Sequence, residues 1–202
     1  MKKLPIHFYK RTDVILIAKE LIGKVIVTHF NGQITSGRIV ETEAYIGLTD
    51  RASHSYAGKR TARNENMYAD AGTVYVYLCY GIHHLFNVVS NQKNIPDAVL
   101  IRAVEPLNGL GIMLERTGKQ ASDSSLTKGP GNLSRALGIS KDHSGFSLLD
   151  DEIYIVEDGY SVDQRLLGIS SRIGIENSGD AVHKPYRFYI KGNRFVSGYP
   201  NK

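Results

Sequence analysis

Along most of the chain apolar and polar positions alternate with a period of two, the signature of half-buried strands, and only a few short stretches repeat at helical spacing. Thr12 to Lys24 is the clearest helix: Thr12 or Asp13 caps it, Val14, Ile17, Ala18 and Leu21 share one face, and Gly23 ends it. Lys24 to Phe30 is rich in β-branched residues, Asn31-Gly32 is a tight-turn dipeptide, and Gln33 to Tyr45 is the return strand of that hairpin. Gly72 to Ser90 forms a second hairpin turning at Tyr80-Gly81, with Leu85 to Val89 as the return. Further strands are expected at Ala98 to Val104, Glu152 to Glu157, near Arg172 to Ile175 and at Tyr186 to Lys191, and Leu107, Leu110 and Leu114 indicate a short helix. Ile46 to Asp70 is polar and irregular, as long functional loops are. Thr117 to Thr127 is the best candidate for a mobile loop, and Lys128-Gly129-Pro130-Gly131-Asn132 leads into a helix at Leu133 to Gly138. The elements predict an α+β fold: one domain spanning residues 1–202, built around a curved, mainly antiparallel sheet with a protruding hairpin and flanking helices.

Two stretches break the pattern. In Gly37-Arg38-Ile39-Val40-Glu41-Thr42-Glu43-Ala44-Tyr45, strand alternation places Ile39, Glu41, Glu43 and Tyr45 on one face, so two carboxylates stand beside an aromatic ring where a buried strand should be apolar. Such a pair is the raw material of a general base; two ordinary acids on a solvated face are the alternative. The second break is the hairpin tip, where Tyr80, Ile82, His83 and His84 occupy a turn that small polar residues usually fill, which suggests insertion into a partner. Arg102, inside an apolar strand, requires an anionic partner.

Composition narrows the class. With 202 residues and 42% hydrophobic content, the chain fits one well-packed domain better than two. A net charge of +5 and a pI near 9.2 favour an anionic partner such as nucleic acid. The single cysteine, Cys79, fits a reducing compartment. No apolar run is long enough to span a bilayer, and Met1 to Pro5 is not followed by a signal-peptide core, so the cytoplasm is expected and a membrane is not.

Several chemistries are disfavoured. Cys79, His83 and His84 are only three candidate metal ligands and the turn divides them. No Gly-x-Ser-x-Gly elbow occurs. The Lys128–Asn132 loop lacks the Gly-Lys-Ser/Thr of a nucleotide-hydrolysing loop; it is either an anion-holding helix start or an ordinary one. Acids, arginine, aromatics and basic loops remain, and a carboxylate with aromatic clamps suits cleavage of a glycosidic bond.

The motif Gly37–Tyr45, together with Ala52-Ser53-His54-Ser55, Gly72-Thr73-Val74-Tyr75-Val76-Tyr77, Tyr80-Gly81, Asn87, Leu100–Pro106 and Lys184–Tyr189, resembles the alkyladenine (3-methyladenine) DNA glycosylase family. The likeness runs in unchanged order from about Leu16 to Ser197. It implies a monofunctional DNA repair enzyme that flips an alkylated or deaminated purine out of duplex DNA and hydrolyses its N-glycosidic bond. Glu43 would deprotonate the attacking water, Arg102 and the backbone carbonyl of Ile173 would position it, and Glu41 would be structural. Tyr45 and His54 would stack on one side of the base and Tyr77 on the other, while Asn87 would disfavour the guanine amino group. Tyr80 would fill the gap in the duplex, with Ile82 and His83 beside it in the minor groove.

The resemblance implies no metal, no redox cofactor and no lysine Schiff base. Its partner would be double-stranded DNA carrying a damaged purine, met by a monomer associated with the nucleoid. His83, His84 and the Thr117–Thr127 stretch depart from the family pattern, which touches substrate breadth and leaves the reaction unchanged. The other class is a non-catalytic damaged-DNA-binding module; a hydrolase of free nucleosides fits the basic balance and apolar tip less well. Glu43 separates enzyme from binder, because a carboxylate facing a binder's pocket would repel phosphates.

Overall fold

The backbone follows the hydrophobic alternation closely where turn residues define it. The computed structural model describes residues 1–120 and 123–198. A two-residue strand, β1 (Lys2–Lys3), and one helical turn, α1 (Ile6–Tyr9), precede α2 (Val14–Leu21), whose first turn is capped by the Asp13 carboxylate accepting from the Leu16 N–H at 2.9 Å. The hairpin β2 (Val25–Phe30) and β3 (Gln33–Tyr45) turns at Asn31 and Gly32, both left-handed (φ 53° and 75°), as a two-residue turn between twisted strands demands. A second hairpin, β4 (Val74–Cys79) and β5 (His83–Ser90), is followed by β6 (Asp97–Asn108). Helices α3 (Leu110–Thr117) and α4 (Pro130–Leu137) come next, then β7 (Ile153–Glu157), β8 (Leu167–Ser170) and β9 (Arg187–Ile190).

These strands form a single open sheet in the order β1-β7-β2-β3-β6-β5-β4, with β9 on β3 and β8 on β9, and every pairing is antiparallel. The fold is α+β, as the pattern predicts. Strand β3 is its centre. One edge of β3 pairs with β6 along its length, and the other is shared by β2 at Gln33–Arg38 and β9 at Glu41–Glu43. Alternation then sorts the side chains. Val40, Ala44, Val74, Val76, Phe86, Val88, Val99 and Ile101 enter the main core with residues of α2 and α4, and Thr42 donates its hydroxyl to the Ala18 carbonyl of α2 at 2.8 Å. The opposite face of the same strands is left to the site.

Two expectations need correction, and two loops gain detail. The segment near Arg172–Ile175 is not a strand; β8 lies earlier, because Gly174 adopts a left-handed backbone (φ 77°) and Arg172 turns inward to an ion pair. Leu107 belongs to β6, and the helix begins at Leu110. The Ile46–Asp70 loop carries two 3₁₀ turns (Tyr56–Gly58 and Glu65–Tyr68) and buries Asp50, Ser53, Ser55, Asn64, Met67 and Tyr68, so it is a packed lid over one sheet face. Within Thr117–Thr127, residues 121 and 122 lie outside the described residues; the remainder ends α3 and forms a 3₁₀ turn that buries Leu126 and Thr127.

Glycine is required where the chain leaves β3. A Cβ on Gly47 would stand 2.2 Å from the Pro96 carbonyl oxygen, and the Gly47 N–H donates to the Asp97 carboxylate at 2.8 Å. Backbone cannot yield as a flexible side chain can. Gly47→Ala is therefore expected to lower unfolding free energy by about 1–3 kcal/mol in urea titration; an unchanged midpoint would show that the contact relaxes freely.

Candidate active site

Sheet register delivers the site residues in rows. Tyr75 lies opposite Asn87, Asn87 opposite Leu100, Leu100 opposite Glu43 and Glu43 opposite Arg187, so one row crosses five strands on the face away from the main core. A neighbouring row runs Val89, Ala98, Tyr45. The β3–β6 offset is the same on both sides of a local irregularity at Glu41, with Ile39 opposite Val104 and Thr42 opposite Ile101. At the irregularity Glu41 pairs with Ala103, and the adjacent Arg102 reaches the Glu41 carboxylate through its Nε at 3.0 Å.

Over this face lies a cleft of about 710 Å³. Tyr45, Tyr75, Tyr77, Asn87, Leu100 and Arg102 form its floor; His54 from the lid loop, Gly129–Asn132 at the start of α4, and Ile173–Ser178 form its walls. Arg63, Tyr80 and His83 stand at its rim. Gly131 allows the α4 wall to close on the hairpin, since a Cβ there would meet the His83 ring at 2.6 Å. At the hairpin tip Tyr80 is 89% exposed and Ile82 71%, with Tyr80 itself left-handed at φ 51°.

The two carboxylates have separate environments. Glu41 is fully buried: its Oε1 accepts from Arg102 Nε at 3.0 Å, Arg187 Nε at 2.7 Å and the Ser197 hydroxyl at 2.9 Å, and its Oε2 accepts from the Ser197 N–H at 2.7 Å. These donors occupy essentially all of a carboxylate's acceptor capacity. Glu43 is also covered, but by cleft-lining groups. Its Oε1 accepts from the Ile173 N–H at 2.8 Å and lies 3.2 Å from Arg102 Nη1, and its Oε2 accepts from the Tyr45 hydroxyl at 2.8 Å. Among the described residues, Oε2 thus retains acceptor capacity that Glu41 has spent.

Electrostatics follow the packing. Burial, reinforced by Glu43, pushes the Tyr45 hydroxyl well above the usual phenol range, so it remains a donor. Burial alone would lower the Arg102 guanidinium, but Glu43 and Glu41 more than offset that and its net shift is upward. Burial, with Arg63 and Lys59 nearby, pushes His54 down to about 4, leaving a neutral ring whose Nδ1 lies 2.9 Å from the Tyr75 hydroxyl.

Most of the expected residues converge, with one change in detail. The His54 ring stands edge-on to Tyr77 at 4.5 Å between centroids, so it belongs to the Tyr77 wall and not to Tyr45; no base fits between rings that close. The Ile173 N–H also meets the Glu43 carboxylate, a contact the sequence did not suggest. Asn87 is held by its amide, which donates to the Tyr75 and Leu85 carbonyls at 3.2 and 3.1 Å. Sequence reasoning missed Asp50, Arg172, Arg187 and Ser197. Arg187, in an apolar strand, carried the same signal as Arg102; the loop residues carried none.

The cleft is floored by tyrosines, with a buried carboxylate behind it and an exposed apolar finger at its rim. A family model described as methylpurine-DNA glycosylase (MPG) matches residues 7–194. Relatives named "Putative 3-methyladenine DNA glycosylase" include one from Clostridium perfringens strain 13, 44% identical over 94% of this chain and 96% of its own length. One from Desulfitobacterium hafniense is 43% identical over 98% and 99%, and one from Bacillus subtilis strain 168 is 44% identical over 96% and 96%. The chain belongs to the methylpurine-DNA glycosylase family. It is a hydrolase acting on N-glycosidic bonds in DNA, and among the described residues no helix is long and apolar enough to cross a membrane.

Because the folded chain disfavours the His54 imidazolium, its contribution to stability is complete above the ordinary histidine value near 6.5 and is lost as pH falls from there towards about 4. NMR titration of the His54 ring is expected to give a midpoint close to 4, with urea stability lower at pH 4.5 than at pH 7. A midpoint near 6.5 would mean the ring is solvated in the native cleft.

Proposed function

We propose that this chain excises alkylated or deaminated purines from double-stranded DNA by base flipping and Glu43-activated hydrolysis. The observation that carries this reading is the contrast between the two carboxylates. Glu41 is saturated by fixed donors, whereas Glu43 keeps an acceptor position beside the cleft-lining groups Tyr45, Arg102 and Ile173.

A water held by Glu43 would attack the sugar C1′ while the purine leaves, the carboxylate taking the water's proton. Arg102, tied to Glu41, offers Nη1 towards Glu43 and steadies the reacting side. The Ile173 N–H fixes the carboxylate's orientation, and the Ile173 carbonyl is assigned to the water. The base would lie between Tyr45 and the combined wall of Tyr77 and His54, whose π faces favour electron-poor purines. Asn87, pinned by two backbone carbonyls, would be a rigid obstacle to a guanine amino group. Tyr80, with Ile82 and His83, would enter the duplex at the vacated position. No step in this scheme requires a metal or redox cofactor. In this reading the whole chain acts as one glycosylase domain, as a monomer, in the cytoplasm on nucleoid DNA.

The test is incubation with duplex carrying one methylated adenine or one hypoxanthine, followed by alkaline cleavage at abasic sites. Wild type is expected to produce them, and Glu43→Gln to bind the lesion duplex while losing at least about 100-fold in release, as removal of a general base does. Glutamine releasing base at the wild-type rate would contradict the assignment; tight wild-type binding without abasic sites would favour a damage-binding module. Tyr80→Ala is expected to weaken affinity for lesion duplex more than for undamaged duplex. Equal losses on both would remove the wedge.

A further inference from the structure

Behind the cleft lies a buried ion pair that the proposed chemistry does not use. Arg172 and Asp50 have no exposed side-chain surface. The guanidinium grips the carboxylate with two donors, Nη1 to Oδ2 and Nη2 to Oδ1, the latter at 2.8 Å. Nη1 also donates to the Ala44 carbonyl at 2.8 Å, and the guanidinium carbon sits 4.6 Å from the Tyr45 ring centroid.

Each contact fixes a different piece of the site. Asp50 begins the turn that carries His54, accepting from the Ala52 N–H at 3.1 Å through its side chain and from the Ser53 N–H at 2.8 Å through its carbonyl. Ala44 is the residue between Glu43 and Tyr45. Arg172 immediately precedes Ile173, whose N–H holds Glu43. One guanidinium therefore joins the lid loop, the central strand and the Ile173 wall. A buried pair is a poor source of net stability, because desolvation offsets most of the attraction, so its use has to be sought in geometry. We infer that Arg172 and Asp50 are positioning residues: they set the Ile173 amide on the Glu43 carboxylate and brace the back of Tyr45, and base release depends on them without their touching the base. This rests on the Glu43 reading above.

Arginine is required by the shape of the contact. Two bonds to Asp50, a third to Ala44 and a position over the Tyr45 ring all come from one planar fork, which a lysine ammonium cannot reproduce. Arg172→Lys keeps the charge opposite Asp50 and loses the fork. Asp50→Asn keeps one oxygen acceptor and loses the charge.

The experiment measures three quantities on the folded full-length variants: single-turnover base release from hypoxanthine duplex, Kd for that duplex, and hydrogen-exchange protection of the Ile173 amide. For both variants release is expected to fall at least tenfold, Kd to change less than threefold, and Ile173 protection to drop at least tenfold while core amides of β5 and β6 keep theirs. Wild-type release in Arg172→Lys would overturn the inference, as would release, affinity and all protection falling in the same proportion, which marks a merely structural pair. If wild type released no base, the Glu43 reading would fail on its own; the exchange data would still decide whether the pair positions Ile173.

Discussion

The site depends on the Glu41 cluster. A carboxylate at the centre of the sheet, with no exposure, would be prohibitive to bury alone, and the chain meets that demand by converging Arg102 from β6, Arg187 from β9 and Ser197 from the C-terminal segment upon it. Strand β3, strand β6 and the 187–197 stretch, distant in sequence, are thereby held at one point. The consequence for chemistry is indirect and strong. Arg102 is oriented by Glu41 through Nε, which frees Nη1 to face Glu43 two residues along the same strand.

The same cluster explains why two acids on one strand face need not share a role. They lie two residues apart on one strand with like burial, Glu41 at the irregularity of the β3–β6 ladder and Glu43 in regular register. They differ in the kind and number of donors: Glu41 faces two guanidinium groups and a serine that cannot leave, while Glu43 faces a tyrosine hydroxyl, one amide and one guanidinium nitrogen that line the cleft. Catalytic sites commonly hold such incompletely satisfied groups at some expense in stability.

Much of this was legible in the residues. The Asn31-Gly32 turn, the alternation in Gly37–Tyr45, the apolar tip at Tyr80 and Ile82, and the buried Arg102 each violate or obey a local rule strongly enough to be seen without coordinates. What stayed hidden is what only long-range contact decides. Asp50 reads as an ordinary loop acid until Arg172, 122 positions away, reaches it. Arg172–Ile175 has strand-like composition, yet Gly174 and the pull of Asp50 keep it out of the sheet. The side on which His54 stands depends on the fold of the lid loop, which polar composition describes only as irregular.

In the proposed mechanism Glu41 holds the sheet together and Glu43 is held ready to react. Urea unfolding of Glu41→Gln and Glu43→Gln separates the two roles. Glu41→Gln leaves Arg102 and Arg187 around a neutral amide and is expected to lose about 3–5 kcal/mol. Glu43→Gln is expected to lose less than about 1.5 kcal/mol, because an amide still accepts from Ile173. Equal losses, or the reverse order, would contradict the division of labour between the two carboxylates.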